Sequence, residues 1–316
     1  MEGFLGIDIA KQKFDVVLLV DKTKRHKVFD NDDSGFLALA AWLDGSCDRL
    51  HACMEATAGF GDDLALFLVA RDIVVSMVNP LRVKAFGQSE MVRTKTDKVD
   101  AGVIARFCRA QRPAPWVPPS PNLRELRSLV RRCAALKELR VCELQRRAQG
   151  TASEAVTASL DRVIQLLDEE IKTVSAAITA LIASDAHLSH SHALLVSIPG
   201  VGAQSAAVLL AEIPDFRAFS HNKKIAAFAG LNPQEHQSGS SVQGRSRLSK
   251  IGNARLRATL YMCALSARRH NPTLKTFADR LTEAGKAPKV VLAAVARKLL
   301  VIAYGIMKTG KEFKTA

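Results

Sequence analysis

The amino-acid sequence predicts an α/β front part, a two-helix arm and a mostly helical rear part. Three observations carry this. Between residues 4 and 110, short apolar runs alternate with stretches of helical spacing. Residues 112–121, RPAPWVPPSP, hold five of the eleven prolines, a density that no helix or central strand tolerates. Beyond them, apolar residues step by three and four along two long stretches. A chain of 316 residues suggests about two domains at ~150 residues each. With 48% hydrophobic and 24% charged residues it has the composition of a folded protein.

The elements follow in order. Residues 4–9 and 14–20 are short and apolar and are joined by a tight polar turn, as in a hairpin. Residues 27–30 add a third strand. Helical spacing at 36–43 precedes a buried strand at 50–54, a helix at 62–70 and a strand at 73–78. Asn79-Pro80 ends that strand and starts a helix, and 98–110 is a further helix. Strands followed by strand–helix alternation imply a sheet sandwiched by helices over 1–111. Residues 112–121 are the linker. The arm, 122–184, has one helix over about 123–147, with Leu126, Leu129, Cys133 and Leu136 on a heptad seam. A break at 150–159 leads to a second helix, with Leu160, Val163, Leu167, Val174, Ile178 and Leu181 on one stripe. This pair is either a dimerising coiled coil or two helices of a bundle. The rear part, 185–316, is mostly helical. Its exception is 232–250, a loop with seven Ser or Gly residues.

Charge divides along the same line. The chain has 45 Lys plus Arg against 31 Asp plus Glu, a net +14. Residues 1–111 carry 15 basic and 16 acidic side chains, and 112–316 carry 30 and 15. The basic excess lies wholly behind the prolines and calls for a polyanionic partner. A membrane is not that partner: Arg297 and Lys298 interrupt the apolar stretch 290–307, and Asp8 and Lys11 interrupt any leader. Six cysteines without a CxxC pair fit free thiols in a reducing cytoplasm. No HExxH and no GxxxxGK[ST] is present. His187, His190 and His192 fall in a polar interhelical loop, and Tyr261 and Tyr304 in apolar helical runs, as core residues.

Four acids are harder to place. Asp8 sits in the first strand with Ile7 and Ile9 on either side, and a buried carboxylate must be paired or bind a metal. Glu55 ends the strand ACME and raises the same problem. Asp97 and Asp100, in KTDKVDA, are spaced to face the same way at a helix start, where Asp97 is alternatively an N-cap. Singly, each has a structural explanation as an ion pair, a cap or a solvated face. Together, a first-strand Asp before a hairpin, a later strand-end Glu and a helical Asp pair form the set an RNase H-like nuclease needs. Hard carboxylate oxygens suit Mg²⁺, and two such ions ~4 Å apart stabilise both attacking and leaving oxygens in phosphodiester displacement. Arg93, Lys95 and Lys98 offset phosphate charge nearby.

The segments GIDIAKQKFDV, CMEATAGFG, NPLRVKAFGQSEMVRTKTDKVDA, SIPGVGAQSAAVLL, IAAFAGLNPQEHQSGSSVQGRSRLSKIGNARLR and ARKLLVIAYGIMKTG carry a resemblance. In order and spacing, nearly end to end, they resemble the DEDD-motif transposases of insertion-sequence family one-ten. That family includes the Piv-type DNA invertases and the bridge-RNA-guided recombinases. The resemblance implies a RuvC-like (RNase H-like) front domain, a coiled-coil arm and a C-terminal transposase domain. It places Asp8, Glu55, Asp97 and Asp100 in the metal-binding tetrad and Ser238 as the catalytic serine. It further implies a covalent DNA–serine intermediate and a composite site shared between subunits of a homodimer or tetramer. It also implies a noncoding bridge RNA that pairs with donor and target DNA, and a bacterial, cytoplasmic, nucleoid-associated protein.

The residues bear on that serine only in part. A hydroxyl is a weak nucleophile that needs a base or a metal. Gly239 permits close approach of a phosphate; a metal environment supplied by the carboxylates is the first candidate to activate Ser238, with His236, two residues earlier, as the alternative. Ser240 and Ser241 share the loop and remain alternatives. Arg245, Arg247 and Lys250 are phosphate contacts or plain solvated charges. Residues 198–202, IPGVG, followed by a helix at 203–213, resemble the hairpin of a helix-hairpin-helix element. There Gly200 and Gly202 let backbone N–H groups reach a phosphate, unless this is only a tight turn. Three functions are compatible: a Mg²⁺-dependent recombinase acting through serine, a hydrolytic junction nuclease on the same acids, and a non-catalytic nucleic-acid-binding protein.

Overall fold

The computed structural model describes residues 1–56, 59–94, 96–150, 153–213, 215–234, 237–238, 242–243 and 247–314, with the backbone alone at 237–238 and 242–243. The chain divides into two units, Met1–Pro118 and Pro119–Ala316.

The front unit runs β1 (Glu2–Ile9), β2 (Lys13–Val20), β3 (Thr23–Asp30), α1 (Asp33–Leu43), β4 (Arg49–Glu55), α2 (Asp62–Val69), β5 (Val74–Val78), α3 (Pro80–Ser89) and α4 (Asp97–Gln111). Its sheet has the order β3-β2-β1-β4-β5. The first three strands are antiparallel, and β4 and β5 run parallel to β1. Alternation assigns the two faces. Leu5, Ile7, Phe14, Val16, Leu18, Ala52 and Met54 pack with Phe36, Leu39, Leu64 and Leu68 of α1 and α2. Phe4, Val17, Leu19, Cys53 and Val78 pack with Ile104, Ala105 and Cys108 of α4. Gly6 decides how close α4 comes. A Cβ there would stand 2.1 Å from the Ala101 carbonyl oxygen and 2.2 Å from the Ala105 nitrogen, so only glycine lets the helix rest on the strand.

Two boundaries differ from the sequence reading for physical reasons. β3 starts at Thr23 rather than 27, because its polar residues pair with β2 over the whole strand at the sheet edge. The prolines do not form a free linker throughout: Trp116 N–H donates to the Val75 carbonyl at 2.7 Å, and Ser76 Oγ donates to the carbonyls of Pro113 and Ala114.

The rear unit runs α5 (Pro121–Gln149), α6 (Glu154–Ser184), α7 (Ala186–Val196), α8 (Ala203–Glu212), a 3-10 turn (Phe216–Ala218), α9 (Asn222–Phe228), β6 (Pro233–Gln234), β7 (Gln237–Ser238), β8 (Val242–Gln243), β9 (Arg247–Leu248), α10 (Ala254–His270), α11 (Pro272–Glu283) and α12 (Pro288–Thr309). α5 and α6 form an antiparallel helical hairpin, in which Cys133 meets Ser175, Arg140 meets Asp168 and Arg147 meets Asp161. The break between them is shorter than expected, since Ser153 caps α6 by accepting from Val156 N–H.

The expected histidine loop is helix. Asp185 accepts from His187 and Leu188 N–H and starts α7, so His187, His190 and His192 lie within it. The loop at 232–250 contains two short antiparallel pairs, β6 with β9 and β7 with β8. α12 is long and apolar enough to cross a membrane. Here Val291, Val295, Leu299, Leu300 and Ala303 instead join the helical core with Leu195, Leu209, Leu256 and Leu260. Tyr304 is buried there and donates to the Phe219 carbonyl at 2.7 Å, while Tyr261 is only half-buried.

Candidate active site

Asp8 lies near the end of β1, on the face that α4 covers. Paired residues across a ladder share a face, and the register sets Gly6 opposite Val17 and Asp8 opposite Asp15. Glu55 ends the neighbouring parallel strand β4 on the same face as Cys53. α4 supplies the other two acids. Thr96 is its N-cap, its hydroxyl accepting from Val99 N–H at 3.3 Å, so Asp97 is a first-turn residue and not the cap. Asp97 and Asp100 both stand in that first turn, where the helix dipole favours negative charge.

The electrostatics show that these acids share one neighbourhood. The Asp8 carboxyl is pushed up to about 6, first by burial and then by the charges of Asp100, Asp97, Glu55 and Asp15. Like charges a few ångströms apart repel by about 1 kcal/mol in water and several-fold more near a protein surface. Around Asp8 that repulsion adds to the effect of burial. Among the described residues, no three acids, cysteines or histidines stand close enough to hold an ion as they are. The donor set itself, carboxylates with excess negative charge, suits a hard divalent cation.

Three residues that the sequence reading passed over complete the site. Asp15 is 4% exposed and accepts from or donates to His26 Nε2 at 2.8 Å, according to the tautomer and protonation state. Lys13 Nζ stands 3.2 Å from Asp97 Oδ2 and 3.9 Å from Asp15 Oδ2. The signal was available: Asp15 interrupts the apolar run KFDVVLLV as Asp8 interrupts its own strand. Arg93 is exposed in the segment leading to α4, and Lys95 lies outside the described residues.

In the rear unit, Ser238 lies on β7, opposite Val242 of β8. His236, Ser240, Ser241 and Arg245 lie outside the described residues. Arg247, on β9, and Lys250 are exposed. The two glycines of IPGVG differ. Gly200 has φ +103°, and a Cβ there would stand 2.5 Å from the Ala267 Cβ. Gly200 therefore packs closely against α10. Gly202 precedes α8 with no side-chain cap, and nothing would meet a Cβ there within 4 Å.

A buried junction holds α8 in place. Glu212, 4% exposed, accepts from Arg131 Nε at 3.2 Å and from Asn253 Nδ2 at 2.7 Å. Burial alone would raise its pKa. The Asn253 amide and the Arg131 guanidinium more than offset this and hold it below the usual carboxylate range.

Comparison with known proteins matches residues 5–150 to a DEDD-type IS110 transposase profile and residues 192–279 to the transposase IS116/IS110/IS902 family. The pilin gene-inverting protein of Moraxella bovis is 34% identical, over 98% of this chain and 97% of its own. Its counterpart in Moraxella lacunata is 33% identical over the same shares. An uncharacterized 43.6 kDa protein of insertion element IS110 from Streptomyces coelicolor is 30% identical over 50% of this chain and 40% of its own. Two profiles at opposite ends and full-length relatives agree: the chain belongs to the IS110 family of transposases, which cut and recombine DNA.

Proposed function

We propose that the protein exchanges DNA strands through a serine–DNA intermediate, with Asp8, Glu55, Asp97 and Asp100 as the ligands of a divalent metal site. The observation that carries the metal site is geometric: Asp8 on β1 and Glu55 on β4 share the sheet face that α4 covers, Asp97 and Asp100 stand in the first turn of that helix, and burial together with their charges pushes the Asp8 carboxyl up. The sheet order β3-β2-β1-β4-β5, with an acid on the central strand, supports an RNase H-like front domain. Mg²⁺ held there, as one or two ions, supplies Lewis-acid polarisation of the scissile phosphate.

The chain's own residues do the rest. Ser238 Oγ attacks phosphorus, a bond forms between them, and the bond to the 3′ oxygen breaks. The serine proton leaves to a base and the 3′ oxygen gains one. The phosphodiester energy is retained in the phosphoserine, so rejoining needs no high-energy cofactor. Arg247, Lys250 and Arg93, all exposed, serve as phosphate contacts, and Arg245 and Lys95 join them by sequence position. Gly202 leaves the start of α8 open to a DNA phosphate.

Residues 122–184 form the arm and 185–316 the transposase domain. Leu139, Val141, Leu144, Val163 and Leu166 are exposed on the arm, which supports a coiled-coil contact within a homodimer or tetramer. The relatives named for pilin-gene inversion support DNA as the partner, and donor and target DNA as separate partners rest on the family resemblance. Choice of those sites by a noncoding bridge RNA rests on the family resemblance, as does a cytoplasmic location.

Ser238→Ala is the deciding test. Loss of strand exchange and of the covalent protein–DNA adduct supports the proposal. Continued Mg²⁺-dependent cutting without an adduct means a hydrolytic nuclease. Binding without any cutting, unchanged by Asp8→Asn, means a non-catalytic binder. Recurrent small RNA co-purifying with the protein supports guidance, and random fragments count against it.

A further inference from the structure

The proposed reaction leaves one feature of the front unit unused. That unit is not basic overall, yet its edge strand β3 carries Lys24, Arg25, His26 and Lys27 in a row. Alternation divides them between the two faces. Arg25 and Lys27 lie over aromatic rings, Arg25 at 4.4 Å from the Trp42 ring and Lys27 at 5.1 Å from the Phe29 ring. Both rings pack in the α1–α2 layer. Lys24 and His26 lie on the other face. The register aligns Phe4, Leu19 and Lys24 in one row and Gly6, Val17 and His26 in the next, with Asp8 and Asp15 in the row beyond. Lys24 therefore shares the face of Asp8.

On that face α4 presents a glycine. From the point a Gly102 Cβ would occupy, Lys24 Nζ is 3.4 Å away and Arg106 Nη1 is 3.5 Å away. Two cations meet over one gap in a helix, where a mid-helix glycine costs about 1 kcal/mol relative to alanine. Arg106 shares its charge with Glu90 at 2.8 Å. Lys24 is exposed and makes no ion pair among the described residues. Strand edges often carry lysine to prevent pairing with other chains, but that purpose needs no convergence with Arg106. From residue 28, beside Asp15, back to residue 24 the strand covers about 13 Å at ~3.3 Å per residue. That is about the rise of four nucleotides of one DNA strand at ~3.4 Å each.

We infer that Lys24 and Arg106, straddling Gly102, form a phosphate-binding subsite for the DNA strand that leaves the acid cluster along the flank of α4. This rests on the reading of Asp8 as the centre of cutting. The ligand is a phosphodiester backbone, recognised by charge and not by base sequence.

Lysine footprinting of the full chain tests it. The Asp8→Asn protein is mixed with duplex DNA, acetylated briefly, and analysed by peptide mass spectrometry. DNA is expected to lower the reactivity of Lys24 several-fold and to leave that of Lys27, on the same strand but the opposite face, nearly unchanged. Lys24→Ala should also reduce the slope of log affinity against log salt by about 0.9, the value of one phosphate contact, whereas Lys27→Ala should not. Equal protection of both lysines, no protection of Lys24, or no measurable DNA binding overturns the inference. So does protection of Lys24 by RNA of equal length and not by DNA. The two readings fail separately. If Asp8→Asn still cuts DNA, the proposed function falls while the footprint stands. If the footprint ignores the faces of β3, only the subsite falls.

Discussion

Both units bury carboxylates, and they treat them in opposite ways. In the rear unit Glu212 is held ionised by Asn253 and Arg131, with its pKa below the normal range. In the front unit Asp8 is surrounded by other acids and its pKa is pushed up to about 6. The first arrangement is what a scaffold needs, since a buried charge is tolerable once paired and hydrogen-bonded. The second spends stability to keep negative charge concentrated. Perturbed carboxylates of this second kind are what the proposed metal site would use.

The strongest way to break this contrast is to remove each acid in turn. Asp8→Asn is expected to lower DNA cleavage by about 10³-fold, comparable to losing a principal electrostatic group of an active site. It should nevertheless leave the metal-free protein at least as stable at pH 7, measured by thermal melting. A large loss of stability would place Asp8 with Glu212 among the scaffold acids. Glu212→Ala should do the reverse. It leaves the Asn253 amide and the Arg131 guanidinium without their acceptor, at a cost of about 1–3 kcal/mol in urea unfolding.

Gly6→Ala probes what brings the acids together. The added Cβ collides with backbone atoms of α4, which cannot rotate away. A loss of about 1–3 kcal/mol is expected, together with loss of cleavage, because Asp97 and Asp100 ride on that helix. Retained cleavage in a folded Gly6→Ala protein would separate α4 from the chemistry.

The pH profiles sharpen the comparison further. For Asp8 the folded pKa, about 6, lies above its ordinary value of 3.8. Between the two the folded state holds more protons than the unfolded, so stability falls as pH rises through this window. For Glu212 the shift is downward, so its contribution is present above its ordinary value of 4.5 and is lost as pH falls through the depressed folded pKa. The melting-temperature difference between wild type and Asp8→Asn should grow in favour of the variant from pH 4 to 6. That between wild type and Glu212→Ala should shrink as the medium becomes acidic. Mn²⁺ or Mg²⁺ should raise the wild-type melting temperature at pH 7 and have little effect on Asp8→Asn. The smallest effect belongs to the arm: Arg140→Ala removes an exposed ion pair with Asp168 and should cost less than about 1 kcal/mol.

Much of the front unit was legible because buried charge is costly. Asp8 and Glu55 stand out against apolar strands, and Asp97 and Asp100 follow from helical spacing. The same argument reaches Asp15, whose run is just as apolar. Lys13 and Lys24 were not legible, since a lysine near a strand end reads as solvent-facing until the register is known. In the rear unit the apolar seams predict the long helices, but His187, His190 and His192 read as a loop, because the cap at Asp185 is a local hydrogen bond without an apolar pattern. The packing of Gly200 was hidden for a related cause. A glycine that admits a phosphate and one that admits a neighbouring helix look alike in sequence, and only the approach of Ala267 reveals the packing.

By itself the sequence determined most of the strands and long helices, where the basic excess is, and that Asp8 and Glu55 interrupt apolar strands. Periodicity and charge are local properties, readable one segment at a time. Which acids share a field, which face of β3 joins them and which glycine serves packing were decided by tertiary structure alone. Each depends on the distance between segments remote in the chain, and that distance is set by the strand register and by how closely α4 can rest on Gly6.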